Sequence, residues 1–170
     1  MSTAIIEARR AGFVSEPGEG RPIHVLGSEI VVRIASVDVD NAFTVFEGQV
    51  APQDGPPMHR HLHQDEVWHV RKGEFRFVVD GQEIHARAGD TVYGPRGVAH
   101  TFQNTGSTPG TLLTTVVPGG LDEFFEEVEM ISPRGVAPDP AKLAPVLKKW
   151  GQELLGPPLR ALPAERVESD

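Results

Sequence analysis

From residue 23 to residue 117 the chain reads as short runs of alternating apolar and polar residues, cut at roughly even spacing by glycine, proline, aspartate or asparagine. Alternation with a period of two is the pattern of strands that bury one face. Ile23 to Leu26 and Glu29 to Ala35 flank a Gly27-Ser28 turn, and Phe43 to Val50 follows the polar corner Asp38 to Asn41. Pro52, Pro56 and Pro57 then break the chain ahead of a histidine-rich strand. Val67 to Arg71 and Glu74 to Val79 are parted by Lys72-Gly73, and Asp80-Gly81 before Glu83 to Ala86 is a two-residue hairpin signal. Thr91 to Tyr93, Ala99 to Gln103 and Thr111 to Val117 complete the set. Many short strands joined by Gly and Pro turns predict a closed or sandwiched antiparallel β-domain.

After Pro118 the period changes. Leu121, Phe124, Phe125 and Val128 fall at i, i+3, i+4 and i+7, with Asp122 and Glu123 where a helix N-terminus favours negative charge, so a helix is expected from about Leu121 to Met130. The acidic run Asp122 to Glu129 reads as a solvated helix face, the alternative being a lid in which Phe124 and Phe125 cover the end of the β-domain. Pro133 to Pro138 is a linker. Asp139-Pro140 is an N-cap and first-turn pair, and Leu143, Val146, Leu147 and Trp150 form an apolar stripe ending at Gly151. Glu153 to Leu159 returns as an extended segment, and the residues after Ala164 are expected to fray. At the other end, residues 1–22 read as an arm with at most a short strand at Ala4 to Ile6. The chain therefore divides into an arm (1–22), a β-domain (23–118) and a helical extension (119–170).

Composition removes several kinds of chemistry. A formal net charge of −8 over 170 residues offers no basic patch for phosphates, which argues against a nucleic-acid or anionic-membrane partner. The absence of cysteine excludes disulfides, thiolate metal sites and a cysteine nucleophile. No apolar run is long enough for a signal peptide or a membrane span, so a cytoplasmic protein is expected.

What remains is histidine. On a strand His59 and His61 point the same way, and Glu66 follows a short polar turn at the head of the run Val67 to Val70. Imidazoles with a carboxylate suit a divalent transition metal: Fe, Ni, Mn, Co or Zn. A fourth donor is available in His100, which shares a strand face with Phe102 and Asn104. His63 and Asp65 are the neighbouring alternatives to His61 and Glu66, although the parity of Asp65 favours solvent. His69 faces away from Glu66, and His24 and His85 read as strand-surface residues. Trp68, Phe46, Phe75, Phe77 and Phe102 are core by type, yet from the inner faces of a β-domain they would line a small-molecule pocket, with Phe124 and Phe125 as further candidates. Tyr93 and Arg96 stand close to His100.

These two stretches resemble the paired signature motifs of the cupin superfamily. The first, G-x5-H-x-H-x(3,4)-E-x6-G, is met by His59, His61, Glu66 and Gly73. The second, G-x5-P-x-G-x2-H-x3-N, is met by Gly89, Pro95, Gly97, His100 and Asn104. One position departs: the leading glycine of the first motif falls on Gln53, with Gly55 two residues late. The resemblance implies a single cupin jelly-roll barrel, or double-stranded β-helix, with two C-terminal helices near its mouth. It further implies one divalent transition metal held by His59, His61, Glu66 and His100. The C-terminal features, a PGG, an acidic Phe-Phe helix, a Pro-Asp-Pro linker and a closing GPPL, are similar to those of the quercetinase-like group. That likeness implies a dioxygenase acting with O2 on a flavonol or related enolic or phenolic aromatic, with Glu66 as the catalytic base. A redox-neutral isomerase, cyclase or lyase and a non-catalytic binding cupin are the alternatives. Small cupins usually pair, so a homodimer is expected.

Overall fold

The computed structural model describes residues 12–25, 28–132 and 138–159. Its elements run β1 (Arg21–Val25), β2 (Ser28–Ile34), a 3-10 turn (Ser36–Val39), β3 (Thr44–Val50), β4 (Pro57–His61), β5 (Asp65–Lys72), β6 (Glu74–Val79), β7 (Gln82–Arg87), β8 (Thr91–Gly94), β9 (His100–Asn104), β10 (Gly110–Val117), α1 (Leu121–Ile131), α2 (Pro140–Trp150) and β11 (Gln152–Pro158). The strands form two antiparallel sheets in the orders β1-β2-β3-β10-β5-β8 and β11-β4-β9-β6-β7. This is the jelly-roll barrel expected from the sequence, with two C-terminal helices. The expected strand at Ala4 to Ile6, most of the Pro133 to Pro138 linker and the end of the tail lie outside the described residues.

Local chemistry explains the turns. Asp80 and Gly81 both take positive φ, 52° and 72°, so the β6–β7 connection is the tight hairpin their identities predict. Asp139 caps α2 through Oδ1, which accepts from Ala141 N at 2.9 Å, and Gly151 ends that helix in the left-handed conformation at φ 64°.

The apolar faces sort into two clusters. Trp68, Val70, Phe75, Phe77, Val79, Ala86, Val92 and Leu112 fill the space between the sheets, with Phe102 packed against them. Ile23, Val25, Ile30, Val32, Phe46 and Val116 pack instead under Leu121, Phe124 and Val128 of α1 and Leu143 and Val146 of α2. The helices thus cover the end of the six-stranded sheet that the five-stranded sheet does not reach. Asp122 departs from the solvated face expected of the acidic run. It is 1% exposed, and its carboxylate accepts from Thr44 Oγ1 at 2.9 Å and Ser36 N at 3.1 Å, tying α1 to the sheet. His24, expected on a strand surface, is half-buried and bridges to Glu29 at 2.7 Å and Glu129 at 3.2 Å.

β11 is the least anticipated strand in its pairing. It runs antiparallel to β4 with Gln152 opposite His61 and Leu154 opposite His59. The C-terminal extension therefore contributes a sheet strand as well as helices.

The departure at the first motif is explained by backbone geometry. Gln53 occupies the left-handed region at φ 62°, where a glycine costs nothing and an L-residue about 1–2 kcal/mol. Gly55 serves a different need: a Cβ there would lie 1.9 Å from Phe102 O. Gly55→Ala is therefore expected to destabilise the fold by about 3 kcal/mol through overpacking. Gln53→Gly should stabilise it by about 0.5 kcal/mol, the relief of strain less the extra chain entropy. Urea denaturation of the two variants checks both signs.

Candidate metal centre

The two sheets deliver the four donors from opposite sides. His59 and His61 lie on β4 and His100 on β9 of one sheet, with His59 directly opposite His100 in register. Glu66 enters from β5 of the facing sheet, where alternation buries Glu66, Trp68 and Val70 and turns His69 outward to Thr91. The donor atoms of His59, His61, Glu66 and His100 all lie within 4.8 Å of one another. Glu66 Oε2 stands 3.4 Å from both His61 Nε2 and His100 Nε2. His61, Glu66 and His100 are buried, and His59 is the most open of the four.

Orientation is set from behind. The Nδ1 atoms of His59 and His100 each donate to a carbonyl two residues earlier in the chain, Pro57 O at 2.8 Å and Val98 O at 2.9 Å. With the proton on Nδ1, the lone pair of Nε2 faces the cluster, as a metal ligand requires. Glu66 Oε2 and His100 Nε2 are fully buried and make no conventional hydrogen bond. Buried polar atoms without partners are costly, and here they converge on one point, so the residues fit a divalent cation of the kind imidazole and carboxylate bind.

The electrostatics follow from burial. Desolvation, reinforced by the neighbouring imidazoles, holds His59 down at about 3 and lowers His61. Burial alone would raise Glu66, but the imidazoles it faces, His100 foremost, bring it to about 2. At neutral pH the carboxylate is ionised and these two imidazoles are neutral, which is the state that coordinates a cation.

The remaining sequence candidates separate. Trp68 packs its ring edge-on to His100 at 5.2 Å between centroids, and Phe77 and Phe102 lie 5.3 and 6.4 Å from Trp68. Phe75 backs Phe77 and Phe102 at 6.1 and 6.0 Å. Phe46, Phe124 and Phe125 are brought together elsewhere, in the cluster beneath α1, with Phe46 edge-on to Phe125 at 5.5 Å. That cluster includes Val116, the register partner of Glu66. His63 is exposed on the turn after β4 and is not among the clustered donors. Asp65 is held by Arg96 through Nη2 at 2.7 Å and the backbone N at 2.8 Å, which fixes the turn before β9 and keeps the Asp65 carboxyl near 2. Gly94 lies under the Trp68 ring, where a Cβ would come within 2.5 Å. Periodicity held no signal for Gly94 or for the buried Gln64 and Gln152 beside the turn.

A cleft of about 720 Å³ opens between β2, the 3-10 turn and both helices, lined by Arg21, Arg33, Asp38, Glu123, Lys149 and Trp150 among others. None of the four donors borders it, and its charges are largely paired with one another, Arg21 with Asp122 and Glu126 and Lys149 with Glu127. Among the described residues no helix is long and apolar enough to cross a membrane.

Comparison with known proteins places this geometry in context. Residues 46–116 match the family model described as the cupin domain, Cupin_2. The oxalate-binding protein of Thermotoga maritima is 26% identical over 69 residues, 41% of this chain and 57% of that protein. Oxidoreductase iacF of Pestalotiopsis fici is 45% identical over 49 residues, 28% of this chain and 24% of that protein. The chain thus spans less than two thirds of the length of these curated relatives. The crystal structure of a predicted oxalate decarboxylase from Thermotoga maritima superimposes with a TM-score of 0.57 at 21% identity, over 62% of this chain and 99% of that one, a likeness of fold.

The lowered imidazoles give the metal-free protein a defined acid sensitivity. A histidine whose folded pKa lies below its unfolded 6.5 leaves stability unchanged above that pH. Below it, stability falls, because only the unfolded chain takes up the proton. Between pH 6.5 and 4.5 each such imidazole is expected to remove up to about 1.4 kcal/mol per pH unit. Denaturant titrations across this window should show that slope in the metal-free wild type and a shallower one in His61→Gln.

Proposed function

We propose that this chain is a metal-dependent dioxygenase, quercetinase-like in kind, which uses O2 to cleave a flavonol or a related enolic or phenolic aromatic. The observation that carries the proposal is the buried, ionised Glu66 standing between His61 and His100 with one oxygen unpartnered. One divalent metal, Fe, Ni, Mn, Co or Zn, would be held by His59, His61, Glu66 and His100. When bound it supplies Lewis-acid polarisation and positions left open for a chelating oxygen and O2.

The chain's own residues supply the rest. Glu66 is the catalytic base, a carboxylate able to take the proton of a substrate hydroxyl within hydrogen-bond reach. Trp68, Phe77 and Phe102 form an apolar wall beside His100, which favours an aromatic ring and excludes water. Both oxygen atoms enter the products, so no separate reductant is required. The oxidoreductase relative supports redox chemistry. The oxalate-binding relative supports a second reading, a cupin that binds a small dicarboxylate at the same metal without turnover.

Elemental mass spectrometry of the purified protein is expected to find close to one transition metal per chain, lost in His61→Ala and His100→Ala. Oxygen-electrode assays with flavonols should show uptake by the metal-loaded wild type, and Glu66→Gln should lower kcat by about 100-fold or more. Binding of oxalate without oxygen uptake on any enolic aromatic would favour the second reading. If no transition metal can be loaded, both readings fall.

A further inference from the structure

Of the three clustered histidines, one lacks the support that the other two have. His59 and His100 each hand the Nδ1 proton to a backbone carbonyl. His61 Nδ1 is fully buried and meets no partner among the described residues, although the His61 side chain is only 3% exposed. A ligating imidazole with an unsupported second nitrogen is free to rotate about χ2 and is a poorer donor, and supporting groups behind such histidines typically change metal affinity by about 10- to 100-fold.

Register identifies the group that can supply it. Gln152 of β11 is the antiparallel partner of His61, and directly opposed residues project to the same face with Cβ atoms about 4.5–5.5 Å apart. Gln152 is itself buried, at 6% exposure. Its Nε2 donates to Gln64 Oε1 at 3.1 Å and to Trp150 O at 3.4 Å, so the amide's donor side is engaged and Oε1 is its accepting atom. Gln64 in turn donates to Gly119 O at 3.4 Å, and Leu62 N donates to Gly151 O at 2.8 Å. The turn that joins the strand of His61 to the strand of Glu66 is therefore held by residues 151 and 152, which lie outside the matched segment 46–116.

We propose that Gln152 is the positioning residue for His61: its amide oxygen accepts the Nδ1 proton, directly or through one water, fixing the ring so that Nε2 faces the cluster. The C-terminal strand is then part of the metal centre rather than an appendage to it. The inference rests on the metal-binding reading above.

The test compares Co2+ binding by wild type, Gln152→Leu and Gln152→Glu, using calorimetry and the visible spectrum of the Co2+-loaded protein at a temperature well below each variant's melting point. Leucine removes the acceptor, and is expected to weaken binding by about tenfold or more and to shift the spectrum. Glutamate keeps an acceptor oxygen and should hold affinity within about threefold of wild type. A purely structural role would lower melting temperature in both variants while leaving affinity and spectrum unchanged. That outcome, or equal loss in both, overturns the assignment. Should the leucine variant not fold, the Zn2+-loaded wild type decides: the His61 Nδ1 proton must appear by NMR as an exchange-protected signal close to the Gln152 side chain, and its absence overturns the proposal. If wild type binds no Co2+, the metal-binding reading itself fails, a result distinct from wild-type binding that Gln152→Leu leaves intact.

Discussion

An ionised carboxylate held between two β-sheets is the constraint on which the rest of this structure depends. Removing such a group from water costs several kcal/mol unless other groups answer its charge. Glu66 is faced by imidazoles that hang from the opposite sheet, so the four donors meet only when the sheets close in one particular register, and a cation among them would answer its charge. A slip of one residue in β5 would turn Glu66 to solvent and His69 inward. The Asp65–Arg96 contact and the close approach of Trp68 to Gly94 pin the two strand ends where such a slip would begin.

The two apolar clusters divide the work. One lies between the sheets and places aromatic rings against His100, so that the same side chains stabilise the barrel and set the polarity around the donors. The other joins β1, β2 and β3 to the helices, and its Val116 stands opposite Glu66. Phe46, Phe124 and Phe125 bury area in that second cluster. The buried Asp122 makes it specific, since its hydrogen bonds to Ser36 and Thr44 allow one seating of α1 on the sheet.

Much of this was legible in the sequence because it is encoded at short range. Strand alternation, the Asp80-Gly81 hairpin, the Asp139 cap and the same-face placement of His59 and His61 all follow from residues within a few positions of one another. The donor set was legible for a different reason: spacing around Glu66 and His100 matches a recurring pattern. What could not be read is what one stretch does to another far along the chain. No periodicity in Gln152 to Pro158 announces that this strand will pair with β4, nor that Gln152 will face His61. The inward turn of Asp122 was masked by the acidic residues that follow it, and the placement of Phe124 and Phe125 depends on where α1 lands rather than on their spacing.

The pairing of β4 with β11 also bears on the order in which the protein assembles. The paired positions of these strands lie far apart along the chain, from 91 residues at His61–Gln152 to 101 at Pro57–Pro158. The hairpins of the barrel close far shorter loops. Loop-closure entropy must be met before a distant contact returns any stabilisation, so long-range pairings form late. During synthesis the strand bearing His59 and His61 therefore remains an open edge until residue 152 has emerged. Until then the sheet that carries three of the four clustered donors lacks its outermost strand.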